Sequence, residues 1–315
     1  MMQASKISSA LSTLIDLQTP ICLWGASGIG KSSILKQVAI EKEIEFFHYN
    51  LSLMDSFDAD MLALLPEDKQ GILYLEGIDL ASQRVQAFVY QLMLDAPMQK
   101  HRLPDGWMII SSGTRQMDKD ELYKIPLYVA NRFVHLQMEA DVNDWKTWAF
   151  QSGIDERVIA YISYKQEELL DATPYENAFA TPRSWESVSK ILRSGMDEKL
   201  LFDVLSGAIG KERTGSFLSF AEVVYKLPDI ESILSTGEGE YSDEADVLHA
   251  LSSVLVSFLL KYRNEENIDN VLKYVLGLQS EFSVMIVQDL RRTGLSIEHL
   301  ESFNVWVKKF SYLMK

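Results

Sequence analysis

The sequence predicts an α/β protein, in which a parallel sheet flanked by helices is followed by an all-helical part. Three observations lead to this prediction. From Pro20 to about Met138, short apolar runs alternate with helical patterns. The first apolar run passes directly into a glycine-rich turn and a helix. Beyond Asp141 the strand pattern disappears, while helical spacing continues toward the C-terminus.

Each element of the first part has its own signal. The predicted strands are the apolar runs ICLW (21–24), EFFHY (45–49), ILYLE (72–76), WMIISS (107–112) and FVHLQM (133–138). Helical spacing predicts helices at 31–40 and 81–94, and an amphipathic opening helix that includes Ile7, Leu11 and Ile15. Because the glycine-rich turn follows the first strand, a ligand site is expected at the carboxyl edge of the sheet.

In the second part, apolar faces at helical spacing include Trp145 with Trp148 and Trp185 with Val188. The run VLHALSSVLVSFLL (247–260) is interrupted by polar residues and is shorter than the roughly 20 residues that a bilayer requires. We therefore expect a buried helix there. The segment 229–246 has no Lys or Arg, and it is predicted to be an exposed acidic loop, with a docking surface for a basic partner as the alternative.

Composition limits the classes of partner. The 315 residues are 47% hydrophobic and carry a formal net charge of -15, so an extended contact with nucleic-acid phosphates would meet long-range repulsion. Cys22 is the only cysteine, which excludes an internal disulfide and favours a reducing compartment. The five histidines lack metal-ligand spacing, and the N-terminal residues lack the pattern of a signal peptide. A cytoplasmic protein without membrane or nucleic-acid contacts and without a structural metal is expected.

The strongest motif is GASGIGKS, Gly25 to Ser32, which matches the phosphate-binding pattern G-x-x-x-x-G-K-[ST] between a predicted strand and a predicted helix. Glycines allow backbone N–H groups to face phosphate oxygens, and the helix N-terminus adds positive potential. Lys31 would reach the outer phosphates, and Ser32 would bind Mg²⁺. The predicted nucleotide-binding residues are Gly25, Ala26, Ser27, Gly28, Ile29, Gly30, Lys31, Ser32 and Ser33.

The order of further motifs resembles the MoxR-like branch of the AAA+ ATPases. These motifs are ILYLEGID (72–79), LPDGWMIISSGTR (103–115), VANRFVHL (129–136), DVNDWKTWA (141–149), FATPRSWESVS (179–189), GAIGKERTGSFLSF (207–220), KLPDIESIL (226–234) and EFSVMIVQDLRR (281–292). The resemblance covers nearly the whole chain. It implies an AAA+ nucleotide-binding domain at 1–140, a helical lid at 141–205 and a C-terminal helical extension at 206–315, with ATP and Mg²⁺ as cofactors.

The resemblance also implies roles for two arginines. In a hexameric AAA+ ring, an arginine before the fifth strand reaches the γ-phosphate of the neighbouring subunit, and Arg132 occupies this position. Arg183, after Thr181 and Pro182, matches the arginine of the lid that touches the phosphate of its own subunit. For each, an ordinary surface arginine is the alternative.

The water-handling positions depart from the family pattern. The Walker B motif of the family ends in Asp-Glu, whereas this chain has Glu76 and Gly77 at these positions. Glu76 keeps a carboxylate for the metal, but Gly77 cannot polarise the attacking water. Asp79 is expected to cap the helix that begins near Ala81, with a role as substitute base as the alternative. Thr114 stands where the family has an Asn that holds the water, and Arg115 beside it is a candidate to compensate.

Nucleotide binding with weak or conditional hydrolysis follows from this pattern. The first hypothesis is a chaperone-like remodelling ATPase acting on a protein partner, and the resemblance suggests a von Willebrand factor A domain protein. The second is a catalytically inactive, nucleotide-bound structural or regulatory subunit of a larger assembly. A nucleic-acid motor is a third interpretation, and the charge of -15 opposes it.

Overall fold

The computed structural model of the chain describes residues 2–54, 59–94, 102–114, 124–171 and 177–313. The chain divides into two compact units, Met1–Asp141 and Val142–Lys315. The predicted fold class is confirmed, because a parallel sheet flanked by helices is followed by a helical second unit. The role of Arg115 concerns a residue outside the described ranges.

The first unit contains a five-stranded sheet in the order β2-β3-β4-β1-β5, in which all neighbouring strands are parallel. Its strands are β1 (Ile21–Trp24), β2 (Glu45–Asn50), β3 (Gly71–Glu76), β4 (Trp107–Gly113) and β5 (Val134–Gln137). Its α-helices are α1 (Ala4–Asp16), α2 (Lys31–Glu41), α3 (Gln83–Leu92) and α4 (Leu127–Ala130). Short 3-10 helices are found at Leu51–Leu53 and Ala59–Leu64.

Strand β3 lies between β2 and β4 and is buried. Ile72, Leu73, Tyr74 and Leu75 have no exposed surface, as expected for a parallel strand that is covered on both faces. The opening helix α1 buries Ile7, Leu11 and Ile15 along one face, which explains its helical spacing in the sequence.

The second unit is helical. Its α-helices are α5 (Val142–Gln151), α6 (Glu156–Tyr164), α7 (Pro182–Leu192), α8 (Glu198–Ile209), α9 (Lys211–Ala221), α10 (Ile230–Thr236), α11 (Ala245–Tyr262), α12 (Glu265–Val275), α13 (Ser280–Arg292) and α14 (Glu301–Phe310). Further 3-10 helices are Gln166–Leu169, Glu222–Lys226 and Ser311–Leu313. The proposed division between a lid and an extension at residue 205 stays a prediction, and this position lies within α8.

Helix α11 contains the largely apolar run 247–260. Val247, Leu251, Leu255 and Leu259 are buried, as expected for a core helix. Within the described residues, α11 is the one helix whose length and composition would suffice to cross a membrane, and half of its apolar window is buried in the unit. A mostly buried core helix has the same composition.

The prediction of an acidic loop at 229–246 is wrong for its first half, and also for Ala245 and Asp246, which belong to α11. Residues 230–236 form α10, because the Asp229 side chain accepts hydrogen bonds from the backbone N–H groups of Glu231 and Ser232 and so caps the helix. Ile233 and Leu234 of this helix are buried. Their contribution to the core outweighs the acidic composition of the segment.

Candidate nucleotide site

The glycine-rich loop connects the end of β1 to the start of α2 and adopts backbone angles that require glycine. Gly28 has φ 71° and Gly30 has φ 109°, both in the left-handed region that side chains disfavour. A Cβ on Gly25 would lie 3.1 Å from the carbonyl oxygen of Met138, so the loop packs closely against the end of β5. The sequence therefore forms a compact loop at a helix N-terminus, which is the geometry that favours a bound phosphate.

Lys31 is folded over its own loop. Its Nζ atom donates hydrogen bonds to the carbonyl oxygens of Gly25 (2.8 Å) and Ala26 (3.0 Å). The ammonium group is thus held at the loop, where a phosphate oxygen would compete with the two carbonyls for it.

Ser32 and Glu76, the predicted metal ligands, lie together. The Ser32 hydroxyl donates to Glu76 Oε1 over 3.4 Å, although the two residues are 44 positions apart in the sequence. Mg²⁺ prefers oxygen ligands such as hydroxyl and carboxylate groups. Beside a phosphate it keeps several waters and takes few protein ligands. The residues therefore fit this ion. Among the described residues, no group of three or more His, Cys, Asp or Glu side chains has the arrangement of a metal site.

His48 contacts Glu76 from the neighbouring strand. Its Nε2 atom lies 2.8 Å from Glu76 Oε2, and its ring stacks on Tyr74 with a centroid distance of 4.8 Å. The strand register explains this contact, since His48 pairs with Tyr74 and Asn50 pairs with Glu76.

Tyr74 connects Ser32 to the next strand of the sheet. Its hydroxyl lies 3.1 Å from Ser32 Oγ and 2.7 Å from Ser112 Oγ of β4. Burial raises the pKa of Tyr74 to about 12, and the hydrogen bonds with the two serines only partly oppose this shift.

Sequence analysis did not identify His48, Tyr74 or Ser112 as part of the site. A signal was present, because Tyr74 and Glu76 are two residues apart and therefore share one face of a strand. A hydroxyl at that position in an otherwise aliphatic run indicates a polar neighbour.

Gly77 lacks a side chain, and its backbone also adopts a conformation that favours glycine. Its φ is 77°, and the N–H groups of Gly77 and Ile78 both donate to the carbonyl oxygen of Ser112, at 2.9 and 3.0 Å. A Cβ at this position would meet Leu80 Cδ1 at 3.7 Å and Asn50 Oδ1 at 3.9 Å. There is space for a side chain, but the backbone conformation disfavours one.

Asp79 is buried and binds Thr114. Its Oδ2 atom accepts hydrogen bonds from the Thr114 backbone N–H (2.9 Å) and hydroxyl (2.8 Å). The expectation that Asp79 caps the following helix is wrong, because the N-cap of α3 is Ser82, whose side chain accepts from the N–H of Val85. The Asp79 Oδ1 atom is buried and has no hydrogen-bond partner among the described residues.

The two predicted arginines occupy different environments. Arg132 lies two residues after the end of α4 and is half-buried, and its guanidinium lies 5.6 Å from the centroid of the Tyr90 ring. Arg183 is exposed in the first turn of α7, whose start is fixed by Thr181 and Pro182. Within the first unit, the structure brings Lys31, Ser32 and Glu76 to one edge of the sheet.

A groove of about 400 Å³ runs between α2 and β2. Ser32 and His48 line one end of it, and Ile40, Ile44 and Phe46 contribute apolar surface.

Comparison with known proteins gives matches to solved structures alone. No protein-family model matches the chain, and no curated protein shows significant similarity to it. The chain is similar to the RuvB Holliday junction branch migration motor of Thermotoga maritima, with 16% identity, a TM-score of 0.41, and coverage of 92% of this chain and 87% of that chain. It is also similar to NtrX from Brucella abortus, solved in complex with ADP, with 14% identity, a TM-score of 0.41, and coverage of 98% and 68%. At these identities the likeness concerns the fold.

Proposed function

We propose that this chain is an ATP-binding AAA+ protein of the MoxR-like type, which remodels a protein partner and hydrolyses ATP weakly or conditionally. One observation carries the proposal. Ser32 and Glu76 are assembled beside the phosphate loop, whereas the next position, Gly77, has no side chain and a left-handed backbone. The groups that hold Mg²⁺ and phosphate are thus present without the usual group that polarises water.

The size of the catalytic loss follows from general acid–base catalysis. A positioned acid or base contributes about 10²- to 10⁴-fold in rate, which corresponds to about 3–5 kcal/mol of barrier. Lys31, Mg²⁺ and Arg132 would remain, so slow turnover is expected in place of complete inactivity.

The assembly and the partner are proposed from the motif resemblance described above. In a homo-oligomeric, hexameric ring, Arg132 would supply positive charge to the γ-phosphate of a neighbouring subunit, and Arg183 would have the phosphate-sensing role of the family. A von Willebrand factor A domain protein is the proposed partner. We place the protein in the cytoplasm, and its charge of -15 argues against a nucleic-acid substrate.

The contact between Asp79 and Thr114 favours a second candidate function. The Thr114 hydroxyl donates a hydrogen bond to the buried carboxylate of Asp79, so the two remaining candidates for handling the attacking water bind each other. With these groups engaged, the chain would be a catalytically inactive, nucleotide-bound structural or regulatory subunit. In that case, ATP would bind and persist.

Nucleotide binding and cleavage are measured separately to test the proposal. Equilibrium titration with ATP and Mg²⁺ gives the affinity, and a single-turnover assay with protein in excess gives the cleavage rate. We expect the unmutated chain to bind ATP and cleave it slowly, and Lys31→Ala to lose binding. Lys6→Ala, which changes an exposed lysine on α1, is the matched control and should bind as before.

Four other outcomes have distinct meanings. Fast turnover by the unmutated chain would contradict weak hydrolysis. Binding without any cleavage would favour the second candidate. Failure of the unmutated chain to bind ATP would overturn both. Turnover stimulated by DNA at low salt would support a nucleic-acid motor against either.

A further inference from the structure

Three side chains surround the predicted metal ligands without being expected ligands themselves. Tyr74 contacts Ser32, and Ser112 contacts Tyr74. His48 contacts Glu76. They come from three adjacent strands, β2, β3 and β4, whose registers place them at the same edge of the sheet. The Tyr74 hydroxyl, Ser112 Oγ and His48 Nε2 each contact a predicted ligand or another member of the group.

The direction of the hydrogen bonds follows from counting protons. An ionised Glu76 carboxylate can only accept, so Ser32 uses its single hydroxyl proton to donate to Glu76 Oε1. Ser32 Oγ then accepts from the Tyr74 hydroxyl at 3.1 Å, and the Tyr74 oxygen accepts from Ser112 at 2.7 Å. This order leaves one lone pair of Ser32 Oγ unused, and that lone pair is the one a metal ion needs.

The same count fixes the role of His48. Its Nε2 atom faces Glu76 Oε2 at 2.8 Å, so this nitrogen carries the proton and donates. The stacking of its ring on Tyr74, at 4.8 Å, holds the imidazole in the plane needed for this bond. Oε1 and Oε2 are therefore each oriented by a different donor.

We propose that Tyr74 and His48 are positioning residues of a Mg²⁺ site, which hold the Ser32 hydroxyl and the Glu76 carboxylate in their ligating orientations before the ion arrives. The inference rests on the proposed nucleotide-binding function and deepens it. Partners behind metal ligands typically contribute 10- to 100-fold in metal affinity, because they fix the orientation and the electron density of the ligand. The longer side chain of Glu76 makes such support more important, since it has one more rotatable bond than an aspartate.

The first test uses Tyr74→Phe, which removes one hydroxyl and preserves the ring. Mn²⁺ is titrated into the protein with ADP and followed by electron paramagnetic resonance, while the affinity for ADP is measured separately in EDTA. We expect the Mn²⁺ midpoint to rise about tenfold, with metal-free ADP affinity unchanged. Tyr161→Phe is the matched control, because the Tyr161 ring is buried in the second unit and its hydroxyl bonds Ser216 at 3.1 Å.

A second pair of variants does not depend on a buried residue. His48 is partly exposed, so His48→Leu and His48→Gln should both fold. His48→Leu removes the donor and should raise the Mn²⁺ midpoint, whereas His48→Gln keeps an N–H donor and should restore much of the affinity. This pair decides the question if Tyr74→Phe fails to fold.

The outcomes separate this inference from the proposed function. If Tyr74→Phe and His48→Leu bind Mn²⁺ with the midpoint of the unmutated chain and differ in thermal stability alone, the two residues are structural and the inference is overturned. If the unmutated chain binds ADP neither with nor without metal, the proposed function fails and this inference fails with it. A raised midpoint with intact metal-free binding supports both.

Discussion

Asp79 and Thr114 bind each other through two hydrogen bonds to a single carboxylate oxygen, Asp79 Oδ2, from the Thr114 backbone N–H at 2.9 Å and its hydroxyl at 2.8 Å. The pair joins the turn after β3 to the end of β4. Gly113 makes room for this contact, because a Cβ there would lie 3.0 Å from Asp79 Cγ and 2.5 Å from the Trp24 ring. The pair thus anchors the turn that contains Gly77.

Thr114→Val tests whether this contact is structural. The variant keeps the shape of the side chain and removes a hydrogen bond to a buried carboxylate, so the free energy of unfolding should fall by about 2 kcal/mol. Urea denaturation measures this change. Ser111→Ala, which removes a hydroxyl that donates to the Leu75 carbonyl, is the control and should cost about 1 kcal/mol. A large change in ATP cleavage with unchanged stability would instead indicate a role for Thr114 in handling water.

Gly77→Glu tests whether the missing side chain limits hydrolysis. Gly77→Ala is the matched control, because any side chain at φ 77° costs about 1–2 kcal/mol, whatever its chemistry. Both variants should therefore unfold at lower temperature. In single-turnover assays we expect the Glu variant to cleave ATP about 10²-fold faster than the Ala variant, the low end for a positioned base, because the backbone is not preorganised for it. Equal rates in the two variants would favour the non-hydrolysing subunit.

Arg132→Ala tests for a contribution across subunits. If Arg132 acts on the nucleotide of a neighbour, cleavage per chain should increase with protein concentration in the unmutated protein, and this increase should disappear in the variant. ATP affinity at low protein concentration should not change. Arg84→Ala, an exposed arginine on α3, serves as the control. A variant that keeps the concentration dependence would show that Arg132 is an ordinary surface residue resting on Tyr90.

Local patterns in the sequence were sufficient to predict the strands and the phosphate loop. The strand ICLW begins and ends where expected, since its apolar run is bounded by Pro20 and the glycine-rich turn. The helix expected from residue 81 begins instead at Gln83, because Ser82 supplies the cap. The acidic composition of 229–246 led to the prediction of a loop where α10 lies. One of these acids, Asp229, is the capping residue of that helix.

Contacts between strands could not be predicted, because the sequence does not reveal which strands are neighbours. The register of β3 between β2 and β4 brings His48 to Glu76 and Ser112 to Tyr74. The left-handed backbone at Gly77 could not be predicted either, because a glycine adopts both positive and negative φ angles and its sequence position does not determine which.

The lowered pKa of His249 predicts that the stability of the second unit depends on pH. Burial first, and then the nearby Lys146, lower the pKa of His249 from 6.5 to about 4. Between these values the unfolded chain binds more protons than the folded chain. The free energy of unfolding should therefore decrease as the pH falls from 6.5 toward 4, by a total of about 3 kcal/mol from this group.

His249→Phe isolates this contribution in urea denaturation at several pH values. The ring already packs against Phe282 at a centroid distance of 5.5 Å, and its Nδ1 atom has no hydrogen-bond partner among the described residues. An apolar ring should therefore be tolerated. We expect the variant to lose less stability than the unmutated protein as the pH falls through this window. Parallel curves for the two proteins would show that His249 is not the titrating group.

Lys146 and Asp289 form a buried ion pair between α5 and α13, with exposed side-chain fractions of 6% and 1%. Lys146→Met removes the ammonium and leaves a buried carboxylate, whose remaining ion-pair partner among the described residues is Arg292, at 3.5 Å. Breaking one half of such a pair typically costs about 3–5 kcal/mol, because an uncompensated charge remains in a low dielectric. We expect this loss in urea denaturation.

The double variant Lys146→Met with Asp289→Leu completes the cycle and should recover most of the lost stability, since two apolar side chains replace both charges. Lys226→Met is the control, because the ion pair of Lys226 with Glu244 is exposed on both sides and should contribute little to stability. If the double variant is as unstable as Lys146→Met alone, the packing of these residues, and not their charges, connects α5 to α13.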